Sequence, residues 1–112
     1  MLKRLNLSAE TVESAYSKLD GALKDVVGAG INGMTEILHT YGPDKFPVMN
    51  QNSVAGILSV YPGEFPPKPN RKTNVTPKMY ADFARKCDSL RKKLKLANFA
   101  ELDVVFNYIY WS

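Results

Sequence analysis

Thr76-Pro77-Lys78-Met79-Tyr80-Ala81-Asp82-Phe83-Ala84-Arg85-Lys86-Cys87-Asp88-Ser89-Leu90-Arg91-Lys92-Lys93-Leu94 reads as a single helix. Thr76 is a good helix cap, and proline at the first helical position lacks only an N–H that would have no intrahelical partner. Met79, Tyr80, Phe83, Cys87, Leu90 and Leu94 recur at three- and four-residue steps and form one apolar stripe. Downstream, Asn98 and Glu101 make a capping-box pattern. Leu102, Val105, Phe106, Ile109 and Tyr110 then continue at helical spacing to the end of the sequence.

Upstream, Ser8 is the expected cap of a first helix carrying Val12, Ala15, Tyr16, Leu19, Ala22, Leu23, Val26 and Val27. Gly28, Gly30 and Gly33 then read as a hinge before a second helix bearing Met34, Ile37 and Leu38. Pro43 and Pro47 enforce a loop. A short helix over 52–60 follows, with Asn50 or Asn52 as cap and Val54, Ile57, Leu58 and Tyr61 on its buried side. Pro62, Pro66, Pro67 and Pro69, mixed with Gly63, Asn70 and Asn74, predict a long connection, partly extended or mobile. No alternating strand pattern and no repeat is visible. The expected fold is all-α: a small single-domain bundle of about five helices, spanning 1–112, with a proline-rich connection.

The composition agrees with one small globular domain: 112 residues, 45% apolar and 23% charged. No run reaches the roughly 18 consecutive apolar residues that cross a bilayer. The start, Met1-Leu2-Lys3-Arg4-Leu5-Asn6-Leu7, has the charge of a signal peptide, but its apolar run breaks at once and no small-residue cleavage site follows, so a cytoplasmic location is expected. One Cys and one His can form neither an internal disulfide nor a four-ligand zinc site. No cofactor or metal is expected.

Charge is segregated. Residues 68–95 hold ten basic residues against two acids, a local +8 that leaves −4 for the rest of a chain whose net charge is +4. Such a segment can attract phosphate or an acidic protein surface. It also fits a solvated helix face whose C-terminal cations favour the helix dipole.

Several residues invite chemical readings beside plainer ones. Gly28-Ala29-Gly30 with Gly33 imitates a dinucleotide fingerprint, which requires a preceding strand where this sequence has helical periodicity; a hinge or a phosphate-contacting hairpin fits better. His39 near Asp44 could suggest acid–base chemistry, but a helix-terminal histidine commonly serves a carbonyl. Cys87 falls on the apolar stripe and reads as core. Asn74-Val75-Thr76 matches a glycosylation sequon, yet Thr76 is better explained as a cap. Tyr108, Tyr110 and Trp111 could stack on bases, while Phe106 and Tyr110 at four-residue spacing more simply face the core.

Gly28-Ala29-Gly30-Ile31-Asn32-Gly33-Met34-Thr35-Glu36-Ile37-Leu38-His39 followed by Pro43-Asp44-Lys45-Phe46-Pro47-Val48-Met49-Asn50 resembles the helix-hairpin-helix region of base-excision DNA glycosylases. The resemblance implies a Gly-x-Gly turn that aims backbone N–H groups at a DNA phosphate and a proline loop that leads to a catalytic acid. In this chain Asn50 stands at the acid's position and Asn32 at that of the catalytic lysine. An amide can neither stabilise a developing cation as a carboxylate does nor form a Schiff base. The order of segments from 28 to 110, including Tyr80-Ala81-Asp82-Phe83 and Leu102-Asp103-Val104-Val105-Phe106-Asn107-Tyr108, is also similar to a helical module of restriction and phage-defence proteins. That likeness implies an accessory, non-catalytic role beside nucleic acid.

These readings converge on a non-enzymatic module for the sugar–phosphate backbone, without base-specific readout. Gly28, Gly30 and Gly33 would serve as turn donors, and Lys72, Arg85, Lys86, Arg91, Lys92 and Lys93 as phosphate contacts. The alternative is a protein-interaction module, a homodimer or a subunit whose basic helix meets an acidic partner. No nucleophile–base pair or carboxylate pair supports an enzyme.

Overall fold

The computed structural model describes residues 11–26, 30–70 and 73–110, with side chains as far as Tyr108. It is all-helical over those residues: α1 (Val12–Ala22), α2 (Ile31–Tyr41), α3 (Gln51–Leu58), α4 (Pro77–Lys93) and α5 (Phe99–Tyr110). No helix among them is long and apolar enough to cross a membrane.

Local hydrogen bonds set most helix starts. The Met79 N–H donates to Thr76 Oγ1 at 3.1 Å, with Pro77 opening α4 as expected. Asn50 caps α3 through a reciprocal pair with Ser53. At α5, Asn98 Oδ1 accepts from the Glu101 N–H, and the Glu101 carboxylate accepts from the Ala97 N–H, one residue before the box's usual donor.

Two boundaries differ from the sequence expectation. The side chain that caps α1 is Thr11, which accepts from the Ser14 N–H; Ser8 lies outside the described residues, as does Val27. The helix stops at Ala22, just past Gly21, because little apolar surface beyond Leu23 is buried: Val26 is exposed. The second difference is Gly33, which is no hinge residue but part of the first turn of α2. Ile31, Met34 and Leu38 are all buried, and anchoring that stripe outweighs the roughly 1 kcal/mol that a helical glycine costs.

Buried residues from all five helices and from both long connections form one cluster. The most extensive helix pairings are α1 with α4 and α3 with α5, while α2 packs on α1. At the centre the rings of Tyr16 and Tyr80 stack at 5.0 Å. The loop between α2 and α3 fastens these pairs together. Its Pro47 carbonyl accepts from the Tyr80 hydroxyl at 2.7 Å, its Pro43 carbonyl from the Phe99 N–H at 2.8 Å, and its Met49 N–H donates to buried Thr35 at 2.9 Å. Burial makes such partners obligatory, so these bonds anchor the loop to α2, α4 and α5. The proline-rich connection is likewise anchored. Phe65 packs edge-on against Phe83 at 5.6 Å, Val75 is buried, and Asn74 bonds back to the chain at residues 68 and 70.

Candidate nucleic-acid interface

Helix α2 begins differently from the other four. Each of those has a side-chain oxygen accepting from a first-turn N–H, supplied by Thr11, Asn50, Thr76 and Asn98. The cap of α2 is Gly30, which has no side chain to offer, and the first intrahelical bond runs from the Met34 N–H to the Gly30 carbonyl at 3.0 Å. The N–H groups of Ile31, Asn32 and Gly33 therefore lie beyond the intrahelical ladder at the positive end of the helix dipole. No acid occupies that first turn, and Gly30, Asn32 and Gly33 are all exposed. A Cβ on Gly30 or Gly33 would meet nothing within 4 Å, so the surface there is open. Gly28, the third glycine of the expected turn, lies outside the described residues.

A chain of two hydrogen bonds through three residues adds to this surface. The Ser53 N–H can only donate, so the Asn50 atom it meets at 3.0 Å is Oδ1. That turns Asn50 Nδ2 toward Asn32, whose Oδ1 accepts at 3.0 Å. The Asn32 carbonyl is thereby engaged, and its NH2 is left as a further donor beside the open start of α2. The two positions where the glycosylase resemblance would place a lysine and an acid are thus held by one amide bonded to the other.

The expected cations fare unequally. Lys86 and Arg85 share Asp82, at 2.8 and 3.0 Å, and hydrogen bonding from Lys86 above all holds that carboxyl below its ordinary range. The two basic side chains leave α4 about 100° apart. Lys86 lies over the Phe65 ring, while Arg85 lines a groove between α1 and α4. Arg91 is largely buried and fully engaged. Its guanidinium bonds Asp88 at 2.7 Å and the carbonyls of Leu96 and Ala97 at 3.1 and 3.4 Å, and it sits over the Phe99 ring. It clamps the α4–α5 turn, where Lys95 takes a left-handed φ of 59°. Lys92 meets Asp88 at 3.0 Å with 68% of its side chain exposed, and Lys93 is exposed. Burial pushes the Asp88 carboxyl up, but hydrogen bonds from Arg91 and Lys92 outweigh it and the net shift is downward. Lys72 lies outside the described residues.

The cations of α4 and the glycine start of α2 are on elements that do not pack extensively together, since α4 rests against α1, α3 and α5. The α1–α4 groove, of about 1000 Å³, is open and mixed in charge: Lys18, Lys45 and Arg85 share it with Glu13, Asp44 and Asp88.

The remaining candidates take structural roles. His39 Nδ1 donates to the Phe46 carbonyl at 2.9 Å. The carboxyl that senses this histidine is Asp103 of α5, which half-burial pushes up and His39 pulls down. Cys87 is fully buried and its thiol is pushed well up by desolvation, so it is a core side chain. Tyr108 is strongly exposed, Phe106 is buried, and the side chains of Tyr110 and Trp111 fall outside the description.

Sequence reading named Gly30, Gly33 and the cap residue Asn50, but not the Asn32–Asn50 bond or a second amide pair, Asn52 with Asn107. The only local signal was the cap pattern at Asn50, which says nothing about a partner 18 residues away. Comparison of the chain with protein-family models, curated proteins and solved structures finds no match.

Proposed function

We propose that this protein is a non-enzymatic, cytoplasmic module that holds the sugar–phosphate backbone of a nucleic acid at the start of α2. The observation that carries this reading is the directed chain from the Ser53 N–H through Asn50 to Asn32. It places an amide NH2 beside backbone N–H groups that no side chain caps, and the cluster is therefore made of donors. Phosphate oxygens accept only, and helix starts with open N–H groups suit them. Lys92, Lys93 and Arg85 contribute as a field that raises the local concentration of a polyanion, not as ligands of the same phosphate. Arg91 contributes to folding instead.

The test is a salt-titrated binding assay on single- and double-stranded DNA and RNA. The intact chain should lose affinity linearly in log salt. Gly33→Asp, which sets a carboxylate among the donors where space is open, should reduce binding by at least about tenfold at low salt, since a like charge faces the phosphate. The pair Lys92→Glu with Lys93→Glu should flatten the salt slope and leave Arg91 in place. Affinity that ignores salt, or a Gly33→Asp chain that binds as well as the parent, would overturn the proposal.

A further inference from the structure

Asn32 of α2 is followed by Gly33, and no other asparagine of the chain precedes a glycine. Such a pair is chemically reactive: with no Cβ on the second residue, its backbone nitrogen can approach the asparagine side-chain carbonyl and close a five-membered imide. Three features of the structure bear on that reaction. Both residues are exposed, and a Cβ at 33 would meet nothing within 4 Å, so water reaches them. The Gly33 N–H meets no acceptor among the described residues, since the intrahelical ladder starts with the bond from Met34 to Gly30. The Asn32 side chain is held by its oxygen, which accepts from Asn50 Nδ2 at 3.0 Å, while the NH2 that must depart is unengaged among the described residues. Negative charge develops on that oxygen as the nitrogen adds, and a donor already in place stabilises it.

From this arrangement we propose that Asn32 is a modification site that converts itself to aspartate or isoaspartate with the help of Asn50. The Gly33 N–H gives up its proton, its nitrogen bonds to Asn32 Cγ, and the charge passes to Oδ1, where Asn50 Nδ2 stabilises it. The Cγ–Nδ2 bond then breaks, and the NH2 leaves with that proton as ammonia. Solvent water, the only co-reactant, opens the cyclic imide at the Cγ–N bond to give aspartate, or at the main-chain carbonyl to give isoaspartate. Closure takes Asn32 out of its helical ψ and unwinds the first turn of α2, the part of a helix that frays first, and Gly30 adds no side-chain bond to hold it. Asn50 is the cap of α3, so its own position does not depend on that turn. The aspartate product sets a carboxylate at the positive end of α2, where no acid stands; this favours the helix and repels a phosphate. The reaction is independent of what the protein binds. Its consequence, a one-way loss of the donor cluster, rests on the backbone-binding reading.

The experiment incubates the folded chain for days at neutral and mildly alkaline pH and follows every asparagine by peptide mass spectrometry, with aspartate and isoaspartate peptides separated. Asn32 should convert at least about tenfold faster than any other asparagine, and faster as pH rises, because the Gly33 amide must lose its proton. Gly33→Ala, at a position with open space, should slow the conversion at least about tenfold. Asn50→Asp keeps the α3 cap but cannot donate to Oδ1, and should also slow it at least about tenfold. In urea, where that bond is gone, Asn50→Asp and the parent should convert alike. An Asn32 no more reactive than the other asparagines, or an Asn50→Asp chain that converts as fast as the parent when folded, would overturn the inference and leave backbone binding intact. The converted protein, separated by ion exchange, and Asn32→Asp should both bind nucleic acid at least about tenfold more weakly at low salt. Conversion with unchanged affinity would instead overturn phosphate binding at α2 while the self-conversion stands.

Discussion

Gly56 of α3 lies directly beneath the ring of Phe106 of α5, so close that a Cβ on Gly56 would occupy the space of the ring's own carbons. Both residues are buried, and the absence of a side chain at 56 lets these two helices approach. The same pairing brings Asn52 within hydrogen-bond distance of Asn107.

Gly56→Ala should therefore destabilise the fold although alanine is the better helix former. Overpacking of a filled core costs about 1–3 kcal/mol, which exceeds the ~1 kcal/mol gained in propensity. Urea unfolding should show a lower midpoint for Gly56→Ala and partial recovery when Phe106→Leu is added. A variant as stable as the parent would mean that α3 and α5 are not packed this closely.

Arg91 and Lys93 stand two residues apart in the same basic run and should behave oppositely. Arg91→Ala removes charged hydrogen bonds to Asp88, Leu96 and Ala97, and should cost about 1.5–3 kcal/mol. Arg91→Lys should recover little, because an ammonium cannot reproduce the planar fork that reaches all three. Lys93→Ala at an exposed site should stay within about 0.5 kcal/mol of the parent. Thermal melts of the three variants, read against nucleic-acid affinity, separate folding from charge.

Asn50 combines a cap with a donor, and substitution can divide them. Asp caps as well as Asn, so Asn50→Asp should keep stability within about 0.5 kcal/mol, whereas Asn50→Ala should cost about 1 kcal/mol. A carboxylate cannot donate to Asn32 Oδ1, so Asn50→Asp should free Asn32 to turn its oxygen outward and should weaken nucleic-acid binding. Unchanged affinity with unchanged stability would show that the orientation of Asn32 does not matter to the ligand.

Acid response should be divided between two classes of carboxyl. Burial raises Asp103 above its unfolded value, so its contribution is fully present below the ordinary Asp range, near pH ~4, and is lost as pH rises through the folded value. Asp103→Asn should consequently be more stable than the parent at pH 7, with the difference shrinking toward pH 3. Asp82 and Asp88 are lowered by their basic neighbours, so their stabilisation is present above that range and lost as pH falls through the folded values. Urea midpoints across this interval for Asp103→Asn and Asp88→Asn should move in opposite directions relative to the parent.

Much of the fold could be read locally. Thr76-Pro77, Asn98 with Glu101, and Asn50 each mark a helix start, because a cap is a hydrogen bond between residues no more than about four apart. The apolar stripe of α4 appears as expected from Tyr80 through Phe83 and Cys87 to Leu90, because helical periodicity is a property of neighbours, but its last expected member, Leu94, is the exposed C-cap residue beyond the end of the helix. Local reading failed where long-range packing competed with it. Three glycines suggested a hinge through residue 33, and burial of Ile31 instead starts α2 before it. Four prolines suggested a loose connection, and Phe65 and Val75 pin it from within the core.

The all-helical class, the caps of α4 and α5 and the basic character of α4 were determined by the sequence alone, since each follows from residue type and short spacing. Tertiary structure alone decided which polar groups remain available to a ligand. It engaged Arg91 in the α4–α5 turn, joined Asn32 to Asn50, and set Asn52 against Asn107 across 55 residues. The physical reason is that a hydrogen-bonding group is usable only after its intramolecular partners have been counted. Those partners come from helices whose distance and crossing are fixed by side-chain packing, as at Gly56 and Phe106, and not by anything near them in the chain.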